Sequence, residues 1–269
     1  MAIKLIAFDM DDTLLLDDRT IGARTLRALR AAHEKGVRIV PATGRGKHSM
    51  WNYVQQIGCA DAAICTNGAQ VYDGAGSPII ERPVPLETAK RVARFAKQNG
   101  WYLQGYSADD YFFERETDES RLYASLAGHM GRAVGDLEEY LTQPPFKLLF
   151  VETDMDKMAA LKAQAIPLFG QEMCMFVSKP FYLEITDPAA TKGAAVLKLA
   201  ERFGLLPGET MCFGDSGNDL SMIDAAGVGV VMDNALPEIK AHADLIAPAN
   251  SLEGVAQVIE KYVLGEAEA

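Results

Sequence analysis

Short apolar runs that stop abruptly on oxygen-bearing side chains recur along this chain, and they restrict its fold more than any other feature. The first, Ile3-Lys4-Leu5-Ile6-Ala7-Phe8, ends in Asp9-Met10-Asp11-Asp12. A second, Val37–Pro41, ends at Thr43-Gly44, and a late one, Thr210–Phe213, ends at Gly214-Asp215. Runs this short and this apolar read as strands buried on both faces, as in a parallel sheet. After the first, Leu26, Leu29 and Ala32/His33 recur at helical spacing and Gly36 closes the helix. After the second, a helical stretch passes through Trp51 and Val54 to Gly58, and Ala62–Cys65 gives a further apolar run. Strand–helix alternation of this kind specifies an α/β fold with a doubly wound, Rossmann-like parallel sheet.

From about Gln70 the texture changes. Gln70–Asp73 and Pro78–Val84 read as paired edge strands around a Gly-Ala-Gly turn. Beyond them lie helical stretches at Leu86–Gln98 and Met155–Phe169. Strands are expected at Trp101–Tyr106, Tyr111–Glu114 and Phe146–Val151, with a weaker helical region to Leu141. Met173–Val177 and Phe181–Thr186 read as a hairpin. Two strands per helix indicates an antiparallel α+β unit. The first texture then returns, with Val196, Leu199, Ala200 and Phe203 on one helix face and further runs at Val228–Met232 and Leu245–Ile246 before a closing helix. The expected organisation is a core of residues 1–80 and 187–269 interrupted by an α+β insert of residues 81–186, long enough to hold its own core. The tail Gly265–Ala269 is expected to fray.

Ligands of open α/β sheets bind at the carboxyl ends of the strands. The strand reading therefore gathers Asp9, Asp11, Thr43, Gly44 and Asp215 at one rim, with Asp12 and Asp219 close in sequence. So many carboxylates cannot all stay ionised together without a counter-charge. A hard divalent cation answers this, and Mg2+ suits a few carboxylates completed by water and phosphate oxygens. The net charge of −11, from 26 basic and 37 acidic residues, argues against general nucleic-acid binding, because no basic run overrides it. Asp9 breaks the N-terminal apolar stretch before it could serve as a signal peptide, and no apolar run approaches a membrane span of ~20 residues. The four cysteines, Cys59, Cys65, Cys174 and Cys212, form no C-x-x-C pair and read as reduced. A cytoplasmic protein without membrane or nucleic-acid partners is expected.

Lys192 adds an independent signal. It opens the helix carrying Val196 and Leu199, which sets a cation at the positive end of a helix dipole. A nearby anion, phosphate above all, removes that conflict. Thr43-Gly44-Arg45 offers a hydroxyl, a closely approachable backbone and a positive side chain. It is not a P-loop, because Pro41 and His48 stand where that motif needs Gly and Ser or Thr.

Asp9-Met10-Asp11-Asp12-Thr13-Leu14, Ala42-Thr43-Gly44-Arg45, Thr191-Lys192-Gly193 and Gly214-Asp215-Ser216-Gly217-Asn218-Asp219 resemble, in order and spacing, the four motifs of the haloacid dehalogenase superfamily. The insert resembles a type C2 cap. Thr66-Asn67-Gly68-Ala69, Glu184-Ile185 and the tail through Asn234-Ala235 to Gly254-Val255 are similar to the Cof-type subfamily. Two positions depart from the pattern: Asp12 replaces a common Gly, at a turn where φ > 0 suits Asp less than Gly, and Asp233 replaces a small residue.

The resemblance implies a Mg2+-dependent phosphatase for a small-molecule phosphate monoester. Sugar phosphates lead, with flavin mononucleotide and pyridoxal phosphate behind. Asp9 would be the nucleophile and Asp11 the acid/base, with Thr43 and Lys192 completing the catalytic set. The metal would be held by Asp9, the Asp11 carbonyl and Asp215. Thr43, the backbone of Met10 and Gly44, Lys192 and Asn218 would hold phosphoryl oxygens. Asp219 would orient Lys192 or a metal-bound water. The insert would exclude water over the rim, with Tyr106, Tyr111, Lys179 and Tyr182 as candidates for specificity and ordinary packing as their simpler role. A phosphomutase shares this machinery and stays open, as does a non-enzymatic phosphate or metal sensor. A chymotrypsin-like protease does not, since His33 lies on the apolar face of a helix. His48, His129 and His242 are too dispersed for a local zinc motif. Monomer and dimer both stay open.

Overall fold

The computed structural model describes residues 2–108 and 110–265, so the expected fraying of the tail falls outside it from residue 266 onward. In chain order the elements are β1 (Leu5–Phe8), α1 (Ala23–Glu34), β2 (Arg38–Pro41), α2 (Lys47–Ile57), β3 (Ala62–Cys65), β4 (Gln70–Asp73) and β5 (Pro78–Glu81). The insert follows with α3 (Leu86–Asn99), β6 (Leu103–Tyr106), β7 (Tyr111–Phe113), α4 (Asp118–Ala127), β8 (Arg132–Ala133), α5 (Leu137–Tyr140), β9 (Lys147–Val151), α6 (Met155–Phe169), β10 (Cys174–Lys179) and β11 (Tyr182–Thr186). The chain then returns with α7 (Lys192–Arg202), β12 (Thr210–Gly214), α8 (Leu220–Ala225), β13 (Val228–Met232), α9 (Pro237–Lys240), β14 (Leu245–Ala247) and α10 (Gly254–Ile259).

Two compact units emerge. One gathers the described residues of Met1–Arg45, Met50–Ile80 and Thr191–Ala269, the other Gly46–Ser49 and Glu81–Ala190. In the first, five parallel strands run in the order β14-β13-β12-β1-β2. Phe8 lies opposite Phe213 on one side and Pro41 on the other, so the carboxyl ends of β12, β1 and β2 align. Strand order reverses at β1, which makes the residue after it, Asp9, the occupant of the switch point where open α/β sheets bind ligands. The pleat sorts the side chains. Ile6 and Phe8 pack with Ile39, Met211 and Phe213 against Leu29 of α1 and Ile259 of α10. Leu5, Ala7, Val40 and Cys212 face Val196 and Leu199 of α7. Helices on both faces make the sheet doubly wound.

One strand behaves differently from its sequence reading. Ala62–Cys65 meets the parallel sheet through a bridge between Ala42 and Ile64 rather than a full ladder, and pairs antiparallel with β4. The order β3-β4-β5 forms a separate small sheet, because the adjoining hairpin satisfies the free edge of β3 locally.

The insert holds a six-stranded sheet in the order β10-β11-β9-β6-β7-β8. Leu148, Phe150, Leu183 and Ile185 pack on one face against Val92 of α3 and Leu161 of α6. Tyr106, Tyr111, Phe113, Leu149 and Tyr182 cluster on the other. The three candidate tyrosines are thus buried packing residues, while Lys179 is exposed beside the β10–β11 turn. Among the described residues no helix is long and apolar enough to cross a membrane.

The first helix of the core is capped from a distance. Gly22, at its N-cap, has no side chain to offer, and Glu253 Oε2 accepts instead from Thr25 N at 2.8 Å and Thr25 Oγ1 at 3.0 Å. Glu253→Ala is expected to lower stability by about 1–2 kcal/mol, the usual cost of a lost N-cap. Chemical denaturation of wild type and variant checks this.

Candidate active site

Asp9 follows β1 with its amide donating to Phe213 O at 3.0 Å, which locks its backbone onto the neighbouring strand. Its side chain caps nothing, so the ordinary structural use of an Asp at a strand end is absent. The carboxylate is buried and accepts a hydrogen bond through Oδ1 from Lys192 Nζ. Lys192 is fully buried as the first residue of α7, whose N-cap Thr191 accepts from Ala194 N at 3.1 Å. The same ammonium donates to Asp219 Oδ1 at 2.6 Å. The dipole conflict visible in the sequence is therefore settled by two carboxylates.

Asp219 is fully used. Its Oδ2 accepts from Asp215 N at 3.1 Å and Ser216 N at 3.0 Å, so it ties the loop after β12 to Lys192. Asp215 projects from that loop and its Oδ1 accepts from Thr13 Oγ1 at 2.7 Å. Carboxylate oxygens of Asp9, Asp215 and Asp219 lie within 4.8 Å of one another.

This cluster carries more negative charge than Lys192 neutralises. Burial, opposed by Lys192 but reinforced by the charges of Asp219 and Asp215, holds the Asp9 carboxyl well above the usual range. Burial and the neighbouring Asp219 push Asp215 up to about 7, against the pull of the Thr13 hydroxyl and Lys192. Burial alone would lower the Lys192 pKa, but Asp219 and Asp9 together overcome it and raise the pKa above its ordinary value. Lys192 thus stays charged between two acids, and the surplus falls on Asp9 and Asp215. No hydrogen bond among the described residues engages Asp9 Oδ2 or Asp215 Oδ2. Hard oxygen donors with surplus negative charge and unengaged oxygens fit a small divalent cation.

Asp11 stands apart. Its carboxylate is outside that acidic group and receives a two-pronged grip from Arg45, with Nε to Oδ2 at 2.8 Å and Nη2 to Oδ1 at 2.5 Å. Burial works against the Arg45 charge, yet the bonds and charge of Asp11 raise its pKa overall. Asp12 adopts φ 59°, the left-handed turn that its sequence position suggested. The loop is held from the far end of the chain: Asn234 Nδ2 donates to Asp12 O at 2.7 Å, and Asn250 Nδ2 to Leu15 O at 2.8 Å. Asp233 pairs with Lys240 at 2.7 Å.

Thr43 is buried one residue past the Ala42–Ile64 bridge, and its Oγ1 accepts from Arg45 N at 3.1 Å. Gly44 lies beside Asn67, and a Cβ there would come within 3.1 Å of Asn67 Oδ1. Asn218 Nδ2 donates to that same Oδ1 at 3.0 Å. Met10 is buried at the start of the loop. The unit therefore collects Asp9, Lys192, Asp215 and Asp219 in one cluster, and Gly44 and Asn218 around Asn67. Three participants had no role assigned from sequence: Thr13, Ser216 and Asn67. Their motifs were visible, but their partners lie as far as 202 residues away.

Comparison with known proteins shows which family the chain belongs to. A family profile described as haloacid dehalogenase-like hydrolase matches residues 6–259. The Bacillus subtilis protein YxeH, named as a phosphatase, is 31% identical over 272 residues, covering 98% of this chain and 99% of the relative. The HMP-PP phosphatase of Yersinia pestis is 32% identical over 237 residues, covering 88% of this chain and 86% of the relative. Among solved structures, TM0651 from Thermotoga maritima superposes with a TM-score of 0.88 at 30% identity, over 96% of this chain and 97% of that one. BT4131, described as a HAD subclass IIB sugar phosphatase, gives a TM-score of 0.83 at 26% identity, over 96% and 98%. With the profile spanning nearly the whole chain and the catalytic-type carboxylates at the switch point, the chain belongs to the haloacid dehalogenase-like hydrolases and is an enzyme of their phosphatase kind.

Proposed function

We propose that the protein is a Mg2+-dependent phosphatase of small phosphorylated metabolites, sugar phosphates foremost, acting through an aspartyl-phosphate on Asp9. The observation that carries this reading is the buried Asp9 at the switch point, gripped on one oxygen by Lys192 beside Asp215. The sugar-phosphate preference draws on the likeness to BT4131, described as a sugar phosphatase.

Lys192 holds Asp9 Oδ1 and so fixes the carboxylate that attacks phosphorus, while the ester P–O bond breaks. The departing oxygen takes a proton from Asp11. Water then attacks the phosphoryl group on Asp9 and gives its proton to Asp11, releasing inorganic phosphate and restoring both carboxyls. To serve in this way Asp11 must loosen at least one of its two bonds to Arg45. Thr43, Gly44, Asn218 and Lys192 would hold the phosphoryl oxygens. Mg2+, held by Asp9, Asp215 and the Asp11 carbonyl, would offset the combined negative charge of carboxylates and phosphoryl group. Asp219 orients Lys192, whose ammonium it binds directly.

The test is release of nitrophenol from p-nitrophenyl phosphate with Mg2+ and with EDTA. Turnover that requires the metal supports the reading, and its absence in folded protein overturns it. Stability should report the same site. Asp9 and Asp215 are both raised above their unfolded values, so each contributes stability at acid pH that is lost as pH rises, for Asp215 from about 4 through about 7. In EDTA the thermal midpoint is expected to fall between about pH 5 and about pH 8, and the rise given by Mg2+ to be larger at the higher pH. Differential scanning fluorimetry across that range measures both.

A further inference from the structure

Asn67 lies between two groups expected to hold phosphoryl oxygens, and its backbone is forced to reach that place. Thr66, Asn67 and Gly68 adopt φ of 52°, 55° and 100° in succession, three left-handed residues in a row. Such runs persist only where the surroundings impose them, and they cluster at functional sites. Here the constraints are explicit. Asn67 N donates to Thr43 O at 3.0 Å and Thr66 N to Arg45 O at 2.9 Å. Gly68 passes so close to Thr191 that a Cβ would meet its carbonyl oxygen at 2.4 Å. The turn is therefore stitched to the Thr43–Arg45 segment on one side and to the cap of the Lys192 helix on the other.

Its product is the placement of one amide. Asn67 is only 4% exposed, and its Oδ1 accepts from Asn218 Nδ2 at 3.0 Å. At its other end, Asn218 Oδ1 accepts from Ser216 Oγ at 2.7 Å. An amide presents attraction or repulsion to an anion according to which end faces it: N–H attracts, C=O repels. With its oxygen taken by Ser216 and one N–H taken by Asn67, Asn218 can offer an anion only its second N–H. The same contact explains Gly44 from a new side: a side chain there would press on the Asn67 amide at 3.1–3.3 Å.

We propose that Asn67 is a positioning residue that fixes the Asn218 amide with its N–H toward the phosphoryl oxygens, and this rests on the phosphatase reading above. The test is a double-mutant cycle of Asn67→Gly and Asn218→Ala, read both as kcat and KM for p-nitrophenyl phosphate and as binding of inorganic phosphate by calorimetry with Mg2+ present. Glycine accepts the left-handed backbone, so the fold is retained, and thermal melts verify it. Asn67→Gly is expected to lower kcat about tenfold with KM little changed and to weaken phosphate binding. In the Asn218→Ala background it is expected to cause no further loss. The inference is overturned if Asn67→Gly keeps wild-type kcat and phosphate affinity, or if the two losses multiply in full. Wild type that binds phosphate without turning over ester sinks the phosphatase reading alone, since the binding cycle still decides on Asn67. Wild type that binds no phosphate overturns both.

Discussion

Asp9→Asn is expected to cut turnover of p-nitrophenyl phosphate by about 10⁴-fold or more and to leave the metal-free protein at least as stable as wild type. The two effects have one origin. Asparagine keeps the shape and still accepts from Lys192, but it cannot form the acyl phosphate. It also removes a buried carboxylate whose ionisation the fold resists, since burial and two neighbouring acids hold Asp9 above its ordinary range. The sign follows from linkage: wild type loses stability as Asp9 ionises, and the variant does not. In EDTA the variant's midpoint is expected to gain on that of wild type as pH rises and the gap to narrow as pH falls. A variant that is inactive and also clearly less stable would mean that Asp9 serves the fold rather than the chemistry.

Lys192→Met is expected to fail in both respects. It removes the buried ammonium held by Asp9 and Asp219 and leaves buried charge uncompensated, which costs about 3–5 kcal/mol. Turnover should vanish with it. Adding Asp9→Asn to Lys192→Met is expected to restore part of the stability and none of the activity, because the second change removes one of the stranded carboxylates. Urea denaturation of the four proteins in EDTA measures this cycle. Equal losses in the single and double variants would mean that Asp219 alone needs the ammonium.

The strand rim was legible because period and burial are written in residue type. Ile6 and Phe8 alternate with Leu5 and Ala7 between two helical layers, and Asp9 follows where the run ends. Lys192 was legible through a local conflict with its helix dipole, which the structure settles with Asp9 and Asp219. Partner choice was not legible. Arg45 reads in the sequence only as a positive side chain after Thr43-Gly44, and the structure gives it to Asp11, because a guanidinium pairs with any planar anion in reach and reach is set by packing. Thr66-Asn67-Gly68 stands in the sequence only as a likeness to a subfamily motif, since nothing in three residue types announces three left-handed conformations. Ala62–Cys65 was assigned to the main sheet on its apolarity, which does not say which edge a strand will take.

The central position of β1 has a consequence for synthesis. Its two hydrogen-bonding neighbours are β2, made almost at once, and β12, whose Thr210–Gly214 emerges some two hundred residues later. The loop that follows β1 waits longer still, for Asn234 and Asn250. Asp9 is thus made long before the residues that complete its surroundings. The intervening insert, with its own sheet and apolar layer, has the composition to fold meanwhile. A nascent chain halted before β12 would hold Asp9 on an open strand edge, exposed to chaperones and to other chains, with Lys192 made but Asp215 and Asp219 still to come.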